Sequence, residues 1–162
     1  MSTLNPYEKF LDGRPVMDVL AETPRAIASL LEKMGLDKAR EALAPGKWSA
    51  GEIVAHLADC ELVFGFRLRQ TLAEDNPTIQ PFDQDKWAKT YRGIEPKEAL
   101  AGFAALRRWN SLMLEAVLPA AADRRMTHPE RGTMTFQAVV ETMAGHDLNH
   151  LGQLKRIAGV QQ

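Results

Sequence analysis

Four stretches of roughly twenty residues carry apolar side chains at every third or fourth position, and this rhythm limits the possible folds more than any other feature of the chain. A 3.6-residue period lays one apolar stripe along a helix, and the stripe must be buried against other helices. The first stretch, residues 15–34, presents Val16, Val19, Leu20, Ile27, Leu30 and Leu31, with Gly35 as its stop. Thr23-Pro24 lies inside it, where a kink or restart is expected because Pro24 has no N–H for the helical ladder. The second, residues 48–74, opens with Ser49 and Glu52 spaced as a capping box. The third runs from Pro96 to Val117 and ends before Pro119. The fourth runs from Thr135, a good N-cap, to Ala158, with Gly159 as its stop. No strand-like alternation competes with these signals, and no internal repeat is evident.

The stretch "DNPTIQPFDQDKWAKTYRGIE", residues 75–95, is too long for a tight antiparallel turn, and its "DQDKWAKTY" fits a short extra helix. The expected fold is all-α: a four-helix bundle with a long crossover between helices two and three. A single domain over residues 1–162, with its core at about 15–158, accommodates the whole pattern.

Composition closes off other classes. Twenty Lys and Arg against 21 Asp and Glu leave a net charge of −1, so there is no electrostatic case for nucleic acid or an anionic membrane. The single cysteine, Cys60, excludes an intrachain disulfide. No apolar run is long enough to span a bilayer, and no signal-peptide pattern opens the chain. The expectation is a cytoplasmic protein acting on a small molecule.

Three of the four histidines fall on apolar stripes. On the fourth stretch, Phe136, Val139, Val140, Met143, His146, His150, Leu154 and Ile157 share one face, which stacks His146 and His150 one turn apart. On the second, Ile53, His56, Leu57, Cys60, Phe64 and Leu68 do the same. A buried imidazole nitrogen without a partner costs about 1–3 kcal/mol, so three inward-facing rings call for a shared one. At 1.5 Å per residue, His56 lies roughly 12 Å from the start of its helix, and the pair lies roughly 14 Å from the end of the other. Antiparallel helices with aligned ends bring all three to one level.

Two histidines at i and i+4 plus one from a neighbouring helix form a three-nitrogen set suited to a divalent ion, zinc or nickel before others, with positions left open. The alternative is three core histidines satisfied by protein neighbours. A His-Glu-x-x-His zinc-protease motif is absent, because Asp147 stands where the glutamate belongs. The Glu-x-x-His pairs of di-iron bundles are also missing.

The segments "WSAGEIVAHLADCE" (48–61), "HPERGTMTF" (128–136) and "MAGHDLNHLGQL" (143–154) resemble the DinB-like, or YfiT-like, family of metal-dependent enzymes. The resemblance implies an up-down-down-up path, a homodimer, and a metal held by one histidine of the second helix and two of the fourth. Those positions are His56, His146 and His150 here. It also implies either hydrolysis or chemistry with a low-molecular-weight thiol. On that basis the chain is expected to be a metal-dependent transferase or hydrolase. A non-catalytic metal- or ligand-binding dimerisation module is the alternative.

Lesser candidates surround the triad. Asp59 and Glu52 lie three and four residues from His56, and either could accept a hydrogen bond from a ligand ring or take a proton as a base. Glu52 is better explained by its capping box. Asp147 steps off the stripe and reads as surface, and Cys60 reads as a buried thiol rather than a fourth ligand. Gln153 is placed to hydrogen-bond along the helix or to reach a partner. His128 lies roughly 16 Å below His146 if the helix begins at Thr135, so it stays outside the site. Trp48, Trp87 and Trp109 read as core or interface anchors. Arg67 and Arg69 could grip an anionic cofactor, though surface arginines are the plainer reading.

Overall fold

The ends of the long helices are set by local chemistry. The computed structural model describes residues 5–160. Its elements are α1 (Glu8–Leu11), α2 (Val16–Met34), α3 (Leu36–Arg40), α4 (Ala50–Ala73), α5 (Gln84–Ala88), α6 (Pro96–Val117), β1 (Arg125–His128), β2 (Gly132–Thr135) and α7 (Phe136–Ala158). At the start of α4, the Glu52 N–H donates to Ser49 Oγ at 3.2 Å and the Ser49 N–H donates to Glu52 Oε2 at 2.8 Å, which completes the capping box. Thr135 Oγ1 accepts from the Ala138 N–H at 3.1 Å to open α7. Gly159, at φ 72°, closes that helix in the left-handed region.

Two apolar clusters reveal the direction of each helix. One gathers Ile27, Leu30 and Leu31 of α2, Ile53, Val54 and Leu57 of α4, Phe103 of α6, and Leu154 and Ile157 of α7. The other gathers Val19 and Leu20, Leu68, Leu114, and Phe136, Val140 and Met143. The first cluster therefore takes the late turns of α2 and α7 with the early turns of α4 and α6, and the second takes the opposite ends. This is an all-α, four-helix bundle with an up-down-down-up path. The parallel α4 and α6 are joined by the long crossover that carries α5.

Close approach between α4 and α6 depends on Gly65, where a Cβ would stand 2.5 Å from Asn110 Oδ1. Among the described residues, no helix is long and apolar enough to cross a membrane.

The structure departs from sequence expectation at two places in the fold. The segment before α7 forms a β-hairpin, with Met126 paired to Met134 and His128 to Gly132. Each strand has four residues, too short for alternation to register, and Met126 and Met134 are buried in the second apolar cluster together with Ile79 of the crossover. There the Ile79 N–H donates to Thr127 O and the Thr127 N–H to Pro77 O, both at 2.9 Å. Secondly, α2 does not restart at Pro24 but runs through it as one helix. The tryptophans also divide. Trp48 packs against the core, whereas Trp87 and Trp109 are exposed, the latter at 65%.

Candidate metal centre

α4 and α7 run antiparallel, and His56, seven residues into α4, meets His146 and His150 in the middle of α7. All three rings are buried, and each offers one nitrogen within 4.8 Å of the others. His146 Nε2 lies 3.2 Å from His56 Nε2 and 3.1 Å from His150 Nε2. His150 Nδ1 donates to Gln153 Oε1 at 3.0 Å, which places its proton on the far side of the ring and turns a bare Nε2 inward.

No arrangement of protons on three neutral rings satisfies both contacts. Because His150 Nε2 is bare, His146 Nε2–H must donate to it, and a protonated Nε2 has no lone pair left for His56. One contact is then always unmet. A cation at the centre removes the conflict by accepting all three lone pairs. Ligand bonds of about 2.0–2.1 Å place neighbouring nitrogens about 2.9–3.4 Å apart, and the two separations from His146 lie within that interval. The residues present fit a divalent ion.

Electrostatics prepare the rings for that role. Burial, and then the charge of His150, lower the pKa of His56 to about 3. Burial lowers His150 to about 4, against the opposing hydrogen bond to Gln153. His146 is held well below its ordinary value by burial and then by the other two rings. All three rings are thus uncharged at neutral pH, each with one bare nitrogen, the state in which imidazole ligates.

Residues 20–154 match the DinB superfamily. The chain belongs to that superfamily. The relative named "Putative metal-dependent hydrolase OB0782", from Oceanobacillus iheyensis, is 28% identical over 137 residues, covering 83% of this chain and 79% of that protein. "Putative metal-dependent hydrolase BcerKBAB4_2443", from Bacillus mycoides, is 29% identical over 141 residues, covering 86% and 79%. Among solved structures, YfiT from Bacillus subtilis superposes with a TM-score of 0.78 at 24% identity, covering 90% of this chain and 87% of that one. It is described as "a probable metal-dependent hydrolase with an unusual four-helix bundle topology", and the likeness extends the shared fold to this chain.

In this DinB-superfamily chain, the other candidates sit around the triad in distinct ways. Asp59 accepts from Tyr91 Oη–H at 2.7 Å and does not join the imidazole nitrogens. Tyr91 packs on Trp48 and Trp48 on His56, with ring centroids 6.3 and 4.8 Å apart, so Asp59 reaches His56 through two aromatic rings. Cys60 Sγ lies 3.5 Å from His56 Nε2, and burial pushes its thiol pKa far up, as expected of an inert protonated thiol. Glu52 stays in its capping box.

Asp147 is not on the surface. It is 2% exposed and pairs with Arg107 Nη1 at 2.7 Å. The wide apolar face of α7 needs an inward turn there, and Arg107 of α6 supplies the counter-charge.

Two contributors had no periodic signal. Tyr7, ahead of the first periodic stretch, sets its ring 5.1 Å from that of His146. Gly145 permits this, since a Cβ there would lie 2.6 Å from Tyr7 O. The one available clue was a glycine inside a strongly helical stretch, next to a candidate ligand. His128, held outside the site on helical spacing, is carried back by the hairpin. With His146 it lines a chamber of about 320 Å³ beside the triad, although it does not join the three nitrogens.

Proposed function

We propose that this chain is a metal-dependent hydrolase of a small molecule, with His56, His146 and His150 as the ligands of a divalent ion, zinc or nickel. The observation that carries the reading is the convergence of three Nε2 atoms in a buried cluster that no protonation of the rings alone can satisfy. The names of the two relatives point to the same chemistry. When bound, the ion supplies Lewis-acid chemistry, polarising a carbonyl or phosphoryl oxygen and acidifying water.

The chain's own residues do the positioning. Gln153 holds the His150 proton at Nδ1. Trp48, braced by Tyr91 and Asp59, fixes the plane of His56. Tyr7 covers one side of His146 with its ring edge-on and leaves the side facing the chamber open. Cytoplasmic location and a homodimer belong to the same proposal, and the exposed Leu62, Phe66 and Trp109 support self-association.

Elemental analysis of the purified protein is expected to give about one equivalent of divalent ion, lost in His146→Ala. Activated esters and amides are expected to be cleaved without added thiol, with activity removed by a chelator and restored by zinc or nickel. Turnover that requires a thiol and an electrophile would replace hydrolysis with thiol transfer. Metal uptake with no turnover in either assay would leave a binding module.

A further inference from the structure

The chamber beside His146 contains a charge arrangement that metal binding does not explain. Its lining places Arg67 of α4 and Arg131 of the hairpin turn together, with Cys60 and His146 at the metal side. Arg67 is 8% exposed, donates from Nη2 to Gln80 O at 2.6 Å, and leaves its Nε buried without a partner. Neither arginine forms an ion pair among the described residues, although two other buried or half-buried guanidinium groups, Arg107 and Arg69, are bonded to side-chain oxygens. The pKa of Arg67 is lowered by burial and then by Arg131, so the exposed Arg131 and the largely buried Arg67 act on each other as like charges across the chamber. A largely buried cation with a neighbouring cation is stabilised by an anion between them.

We propose that Arg67 and Arg131 form a binding site for a carboxylate group, and that molecules reaching the metal centre carry that carboxylate beside a small apolar body. The inference deepens the proposed function and rests on it for the reacting centre. The planar fork of a guanidinium matches a carboxylate. Glu130 also lines the chamber, so its fixed charge is +1 and favours a monoanion over a phosphate dianion. Phe64, Pro81 and Phe82 provide the apolar wall, with the Arg67 guanidinium 6.0 Å from the Phe82 ring centroid. The carboxylate end is thereby held at the arginines while the remainder points to His146.

Calorimetric titration with benzoate tests the site on zinc-free and zinc-loaded protein. Benzoate is expected to bind both forms, and Arg131→Gln to weaken it about tenfold in each. Arg92→Gln, which removes an equal charge from a different cleft, is expected to change nothing. Arg67→Lys, which keeps the charge and loses the fork, is expected to weaken binding while circular dichroism stays that of the parent. 4-Mercaptobenzoate separates two sources of the carboxylate: a gain in affinity on zinc loading identifies a thiol co-substrate, and no gain identifies the molecule to be cleaved.

Benzoate binding that needs zinc and ignores Arg131→Gln would overturn the site and leave the metal reading standing. Binding to protein that takes up no metal would do the reverse. Inorganic phosphate bound as tightly as benzoate, or no benzoate binding to either form, would also overturn the proposal.

Discussion

Arg107 Nη1 donates at 3.0 Å to the carbonyl oxygen of Leu20, the one acceptor that Pro24 leaves without a helical partner. In an α-helix the N–H of residue 24 would bond the carbonyl of residue 20, and proline has none. The same guanidinium pairs with Asp147 and Glu61, each at 2.7 Å, and is 2% exposed. Asn110 Nδ2 donates to Glu61 Oε2 at 2.9 Å. One arginine of α6 thus joins α2, α4 and α7 at the middle of the bundle, and α2 continues as one helix past its proline.

Arg107→Met is expected to destabilise the protein by about 3–5 kcal/mol, because it leaves two buried carboxylates facing each other and an unpaired carbonyl. Pro24→Ala restores a helical donor to Leu20 and is expected to recover about 1 kcal/mol of that loss. Urea melts of the two single variants and the double variant measure the coupling. Additive losses would show that the Leu20 contact contributes nothing.

Gln153→Leu removes the acceptor that keeps the His150 proton on Nδ1. Metal affinity is expected to fall about 10–100-fold with the helical signal unchanged, as measured by competition with a chelator. Gln153→Glu, which retains an acceptor, is expected to keep most of the affinity.

Stability of the metal-free protein is expected to fall with acid in a defined window. The folded pKa values of His56 and His150, about 3 and about 4, lie below the unfolded value of about 6.5, so below that pH the unfolded chain binds more protons. Their contribution is fully present above about pH 6.5 and is lost as pH falls towards 4 and 3. Urea midpoints between pH 7.5 and 4 measure the slope, and His56→Gln is expected to flatten it. A slope unchanged in that variant would assign the acid sensitivity to other groups.

Gly145→Ala is expected to dislodge Tyr7 from the ring of His146, since the added methyl would meet the Tyr7 backbone at 2.6 Å. Hydrogen exchange in the segment around α1 should accelerate, with a stability loss of about 1–3 kcal/mol. Protection unchanged from the parent would mean that Tyr7 can shift without leaving.

Much of the bundle was legible because its information is local. The stripe through Val139, Met143, His146 and His150 needs only a 3.6-residue period to be read, and Ser49 with Glu52 needs only a three-residue spacing. Both features appear where the pattern places them. The inward direction of His56, His146 and His150 followed from the same periodicity. Asp147 was misread because a charged residue beside a stripe is ordinarily solvated, and its partner lies 40 residues away on another helix. Trp109 read as a core or interface anchor, and the structure excludes the first, because α6 turns it outward beside Arg69.

Sequence by itself determined the helices, their caps and the three imidazoles that face inward, because side-chain spacing along one helix is fixed by backbone geometry. Tertiary structure alone decided that Arg107 repairs α2 at Pro24, that Tyr7 closes over His146, and that the hairpin brings His128 and Arg131 beside the histidine cluster. Those contacts join residues far apart in the chain, and their distances depend on how rods and loops pack, which no local period encodes.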